Sequence, residues 1–236
     1  MLFRVVLIVL AMLPAATLSA AEDEGPFSGT IKFGFLGTSG NTETSSLNTG
    51  ATLSYAKGKW EHEATGSAIT SAEDDTTTAE AYEAGWRSRW DMTEKDFLFG
   101  RLNWRKDRFG AFDTQFSQTL GYGRRLLTGP VHTLNAEIGA GARQSDDQFG
   151  VGSDETILFG GLDYQWQFSE TASFQQTFAL EAGEDNTYIE SKSSLSATLV
   201  GALSLVASYT VRNNSDVPAG TEKTDTQTAI SLEYGF

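Results

Sequence analysis

The chain of 236 residues has no cysteine, four prolines, three methionines and two histidines. Without cysteine it can form no disulfide, carry no thiolate nucleophile and take no lipid anchor on a cysteine. His62 and His132 alone leave little for hydrolytic acid–base chemistry, which nearly always relies on a positioned histidine. Positive charge is also scarce: 17 basic residues stand against 31 acidic ones, a net charge of −14, which excludes nucleic acid as a partner. Long apolar runs are missing too. The longest, Val5 to Leu13, is far short of the roughly 20 residues that a spanning helix needs.

That run follows Arg4 and is followed by Pro14 and then by the small residues Ser19, Ala20 and Ala21, the layout of a cleavable export signal. We place cleavage after Ala21 or one residue earlier. Residues 1–21 are therefore read as a signal peptide and 22–236 as a single domain delivered to the cell envelope.

What the mature segment does contain is β-forming: 24 glycines, 11% aromatics and many Ser and Thr suit strands and tight turns. The mean hydropathy of −0.27 does not argue against a membrane. A membrane barrel alternates polar lumen residues with apolar lipid-facing ones, so its average is unremarkable. That alternation recurs in segments of about ten residues separated by turn residues. Ile31, Phe33 and Phe35 oppose Lys32 and Gly34; Leu47, Ala51, Leu53 and Tyr55 oppose Asn48, Thr52 and Ser54. Trp60, His62 and Ala64 oppose Glu61 and Glu63; Ala84, Trp86 and Trp90 oppose Glu83, Arg87 and Arg89; Leu98, Leu102 and Trp104 oppose Arg101, Asn103 and Arg105. The pattern continues to Ile230, Leu232, Tyr234 and Phe236. It predicts an all-β, transmembrane, antiparallel up-and-down barrel of about twelve strands.

Connections are expected to alternate. Short turns fall around Gly58, Thr93, Gly129, Glu170 and Gly201, and long acidic segments such as Glu73 to Thr78 form the opposite, extracellular side. Aromatics gather beside the short turns, at Tyr55, Trp60, Trp90, Phe97, Tyr122, Phe168, Phe174 and Tyr234, as a headgroup-level girdle. Two features strain the pattern. Gln118 and Gln176 fall on the outward face, and Ile157 and Phe159 run in the opposite phase to Leu158, so a bulge or a shifted boundary is expected there. A secreted β-sandwich would also alternate, but its polar face would not repeat charged residues so regularly.

The inward face gathers Glu61, Glu63, Glu83, Arg87, Arg89, Arg101 and Arg105 on three successive strands, with Glu137, Arg143, Asp163, Glu181, Arg212 and Glu233 pointing the same way. Either opposite charges pair across strands and fill the lumen, or a basic ladder lines a narrow anion-drawing pore. Twelve strands lie between barrels that side chains fill and barrels that hold a water channel. The acidic clusters Glu73-Asp74-Asp75, Asp146-Asp147, Asp154-Glu155 and Glu184-Asp185, all in the expected extracellular connections, offer hard oxygen ligands, but no calcium-loop spacing is present, and we assign no metal and no cofactor. No catalytic residue is assigned either, and the chain is expected not to be an enzyme.

Two segments carry resemblances. Ile230 to Phe236 resembles the C-terminal signal of bacterial outer-membrane proteins, with Tyr234 and Phe236 as its aromatic marks, which implies recognition by the barrel-assembly machinery. Gly34-Phe35-Leu36-Gly37-Thr38-Ser39-Gly40-Asn41-Thr42-Glu43-Thr44 is similar to the family of salt-induced outer-membrane proteins, YdiY-like, over essentially the whole mature chain. Gly40, Asn41 and Thr42 are the shared loop motif, and the residues themselves read equally as a turn that tolerates positive φ. The resemblance implies a barrel in the bacterial outer membrane, in contact with lipid and lipopolysaccharide, and carries over no site residue. For the lumen two readings stay open: a narrow channel for ions and small solutes linked to salt or envelope stress, or a closed salt-bridged core without transport.

Overall fold

A computed structural model describes residues 25–38 and 44–236. The segment read as a signal peptide, 1–21, and the loop motif Gly40, Asn41 and Thr42 lie outside the described residues. Every regular element described is a strand: β1 (Phe27–Thr38), β2 (Thr44–Lys57), β3 (Trp60–Glu73), β4 (Thr76–Asp91), β5 (Asp96–Asp107), β6 (Phe112–Thr128), β7 (His132–Asp147), β8 (Gly152–Gln167), β9 (Ala172–Ala182), β10 (Thr187–Val200), β11 (Leu203–Asn214) and β12 (Thr224–Gly235). Each pairs antiparallel with its sequence neighbours, and β1 meets β12 to close a twelve-stranded barrel. We call the end holding Phe27 and Gly235 the base and the opposite end the rim.

Period-2 alternation decides which way each side chain points. Leu120, Ile138, Leu158 and Ile230 are between 63% and 74% exposed, while Phe97 and Ile157 on the other phase are fully buried. An outer surface of such residues has no core to pack against, and hydrocarbon is the medium that suits it. The backbone meets the same demand, because closure leaves no strand edge whose amides would lack a partner in lipid.

Three expectations change. Among the described residues most rim connections are short: two residues at 74–75 and four at 108–111, 148–151 and 183–186, with nine at 215–223. The acidic segments expected as long loops are mostly strand, because β4, β6, β7 and β8 run for 16 or 17 residues. Such strands extend well past the 9–11 or so residues that span a bilayer. Asp74 and Asp75 both hold positive φ (46° and 61°) and turn the chain in two residues, which the primed hairpin turns require. Phe97 is not part of the girdle but points inward, between the guanidinium groups of Arg89 and Arg125 at 5.3 and 5.2 Å. Ile157 and Phe159 need no bulge, since β7 and β8 pair without a register shift and both side chains face the lumen. Gln118 and Gln176 do face outward, where Gln118 donates to Gln144 and Gln176 exchanges bonds with Ser191 and Ser193.

The rim hairpins also hold a repeat that the strand pattern hides. Asp107-Arg108-Phe109-Gly110 and Asp147-Gln148-Phe149-Gly150 share an Asp-x-Phe-Gly sequence, and each Asp Oδ1 accepts two backbone N–H groups of its own turn. Gln148 donates to the carbonyls of Asp107 and Gly110, tying one turn to the next.

Inside, three rings occupy places left by glycine. Phe97 pairs in register with Gly123 and Phe99 with Gly121, and a Cβ on either glycine would overlap the ring opposite it. Phe99 meets Phe159 edge to face at 5.8 Å. We expect Gly123→Val to expel Phe97 and to lower stability by about 1–3 kcal/mol through overpacking, read from the urea midpoint of the refolded barrel by tryptophan fluorescence.

Candidate functional site

Three successive strands, β3 to β5, bring the charged residues together. Antiparallel register places Glu61 opposite Arg89, Glu63 opposite Arg87, Arg87 opposite Arg101, and Glu83 opposite Arg105. The contacts then depart from nearest-neighbour pairing. Arg89 does bind Glu61, and its Nε lies 3.5 Å from Asp91. Arg87 passes over Glu63 and binds Glu137 on β7 instead. Arg101 has no ion pair among the described residues and lies over the ring of Phe159 at 4.6 Å. Glu63 is likewise without an ion pair or hydrogen bond among the described residues, although it lines the lumen.

The most consequential contact crosses the barrel. Glu83 Oε1 on β4 receives Arg212 of β11 at 2.8 Å and lies 3.6 Å from Arg105 Nε. β4 and β11 are five strands apart by the shorter way round, so this bridge spans the lumen. Arg212 Nε continues to Glu190 at 2.7 Å, its second arm donates to Gln227, and the Tyr188 hydroxyl donates to Glu190 at 3.0 Å. The result is a transverse bar of four charges.

Nearer the rim, Arg143 is 2% exposed and holds Glu155 at 2.5 Å, Glu181 at 3.4 Å and the Asn186 carbonyl at 2.5 Å. Ser117 adds a donor to Glu181. Glu155 was expected in an extracellular loop; it lies on β8 inside the wall because the strand outruns the predicted boundary. At the base, Lys32 and Glu233 pair at 2.7 Å beside the closing seam. Phe236 and Gly29 exchange backbone hydrogen bonds at 2.8 and 2.9 Å, and Tyr234 pairs with Ile31.

Two polar chambers lie in the lumen, and Glu83 and Arg105 of the bar line the smaller one. The one toward the base has a volume of about 550 Å³ and the one toward the rim about 230 Å³, and both are bounded by Arg101 and Glu190. Three guanidinium Nε atoms, of Arg87, Arg89 and Arg105, are buried without a hydrogen-bond partner among the described residues. Buried donors of this kind favour an anion or water beside them. Three residues that matter here, Tyr188, Glu190 and Lys192, escaped the sequence reading. They lie on the inward phase of β10, continued toward the rim from Ser194.

A model for the protein family of unknown function DUF481 matches residues 31–236. The chain belongs to the DUF481 family. One relative, the uncharacterized protein YdiY of Escherichia coli (strain K12), is 32% identical over 235 residues, covering 94% of this chain and 93% of its own. Among solved structures, this DUF481 chain is similar to an outer-membrane channel from Pseudomonas putida F1, with a TM-score of 0.54, 10% identity and coverage of 92% and 97% of the two chains. It is also similar to the NanC porin, with a TM-score of 0.50, 10% identity and coverage of 88% and 97%. At that identity the likeness is one of fold, that of outer-membrane barrels.

Replacing Arg143 by Met leaves Glu155 and Glu181 buried without their cation. The expected loss is about 3–5 kcal/mol of unfolding free energy, measured by urea titration of the refolded barrel, whereas Glu155→Gln with Arg143→Met together should recover part of it.

Proposed function

We propose that this barrel resides in the bacterial outer membrane and forms a narrow, weakly ion-selective pathway for ions and small solutes. The observation that carries the reading is the pair of polar chambers, about 550 and 230 Å³, stacked along one lumen and meeting at Arg101 and Glu190. A lumen meant only as packing would be filled by side chains, as smaller barrels are. The porin and the channel that share the fold are consistent with this role.

Weak selectivity follows from charge pairing. The basic ladder is largely neutralised by Glu61, Glu83 and Glu137, so it is no simple ring of cations of the kind that draws anions. Enzymatic activity is not part of the proposal. Both histidines face lipid: His62 stacks between Trp60 and Trp86 with Nδ1 2.8 Å from Ser88 Oγ, and His132 stacks on Tyr164 and Trp166 with Nδ1 2.9 Å from the Tyr164 hydroxyl. Neither can serve a solute in the lumen. Tyr234 and Phe236, at the seam, would present the assembly signal to the barrel-assembly machinery, and the outer band would contact lipid and lipopolysaccharide.

One observation favours the other reading, a closed structural barrel: the Arg212–Glu83 bridge crosses the lumen at the smaller chamber. Planar-bilayer recording of the refolded protein separates them. Discrete steps with a reversal potential near zero in a salt gradient are expected, and Glu83→Ala should enlarge the steps by about twofold by removing the middle of the bar. A correctly folded barrel that is silent in both forms would favour the structural role.

A further inference from the structure

Resting on the channel reading above, we infer that the chamber toward the base selects small dipolar solutes, molecules that carry an ammonium and a carboxylate on one short skeleton. Most charges lining this chamber are already matched within the wall. Lys32 pairs with Glu233, Arg87 with Glu137, and Glu190 with Arg212. Four lining groups are left. Arg101 and Lys192 take part in no ion pair among the described residues, and Arg101 rests only on the Phe159 ring. Glu63 has no partner among the described residues, and Asp163 accepts a single long bond from Gln175 at 3.4 Å.

The remaining charge therefore sums to zero but is separated in space. Round the wall it alternates: Glu63 on β3, Arg101 on β5, Asp163 on β8 and Lys192 on β10. Glu63 and Arg101 are two strands apart, as are Asp163 and Lys192, about 10 Å of wall in each case at the usual strand spacing. In each pair the groups face one chamber and do not reach each other. A simple anion entering there gains from Arg101 and Lys192 but meets Glu63 and Asp163, and a simple cation meets the reverse. A dipolar solute lying between the members of either pair offers its ammonium to the carboxylate and its carboxylate to the cation, so both of its charges exchange water for charged partners. A neutral sugar of the same size has neither gain.

The test is proteoliposome swelling with the refolded mature protein, using glycylglycine as the dipolar probe and arabinose as a neutral solute of similar size. We expect glycylglycine to enter about threefold faster than arabinose, the scale of a partly solvated ion pair, and that ratio to fall to about one in Glu63→Gln/Lys192→Gln. If the double variant does not refold, as judged by heat-modifiable migration, Asp163→Asn reads the same ratio from a different strand and should lower it. An equal ratio in wild-type and variant barrels would overturn the assignment and leave the channel standing. Swelling with neither solute, from barrels shown to be folded, would overturn the channel reading and this inference with it.

Discussion

In hydrocarbon no water competes for a peptide group, so every backbone amide in the spanning region must find its partner inside the sheet. For a sheet, that condition is met only by closure, and here closure depends on β1 finding β12. The seam is short, with four residue pairs from Thr30↔Gly235 to Phe33↔Leu232, against twelve between β1 and β2. It is reinforced on all sides: Phe236 bonds Gly29 and lays its ring over it, Lys32 bridges to Glu233, and Ser231 reaches Asn48. β12, continued by Phe236, is thus the piece that completes the hydrogen-bonding circuit.

Closure fixes the diameter, and the diameter sets the problem that the lumen solves. Twelve strands enclose more room than apolar side chains fill, and the wall is lined with charges that cannot be left dry and unpaired. The structure divides the space. Aromatic rings lie in glycine slots along β5 and β6, Arg143 gathers two carboxylates under the rim, and the Arg105–Glu83–Arg212–Glu190 bar crosses the lumen. Between these packed regions lie the chambers. The same charges thus stiffen the barrel and shape its chambers.

Glu83 shows how far a local rule carries. Its place opposite Arg105 follows from strand register, and register follows from which face of each strand is apolar. Its strongest contact, with Arg212, depends on how far the barrel's circumference brings β11 round to face β4. Arg87 repeats the lesson by choosing Glu137, three strands away, over the adjacent Glu63. Long, flexible guanidinium side chains project into a narrow lumen, where a carboxylate on the far wall can be as near as one on the next strand.

The sequence alone determined the strand set, the phase of nearly every side chain and the family, because period-2 alternation is local and is written residue by residue. It also revealed many of the charges that share the lumen, though not Glu155, Glu190 or Lys192. It misjudged the lengths of the rim connections, since Thr76 to Thr78 and Asp146-Asp147 are polar whether they lie in a loop or in a strand that outruns the membrane. It placed Phe97 in the girdle because proximity to a turn is a sequence property, whereas the empty slot at Gly123 that receives the ring exists only once β5 and β6 are paired. Tertiary structure alone decided which charges cancel and which are left facing the chambers. Those contacts depend on distances across a closed curve, and no pattern along one strand encodes the curvature that sets them.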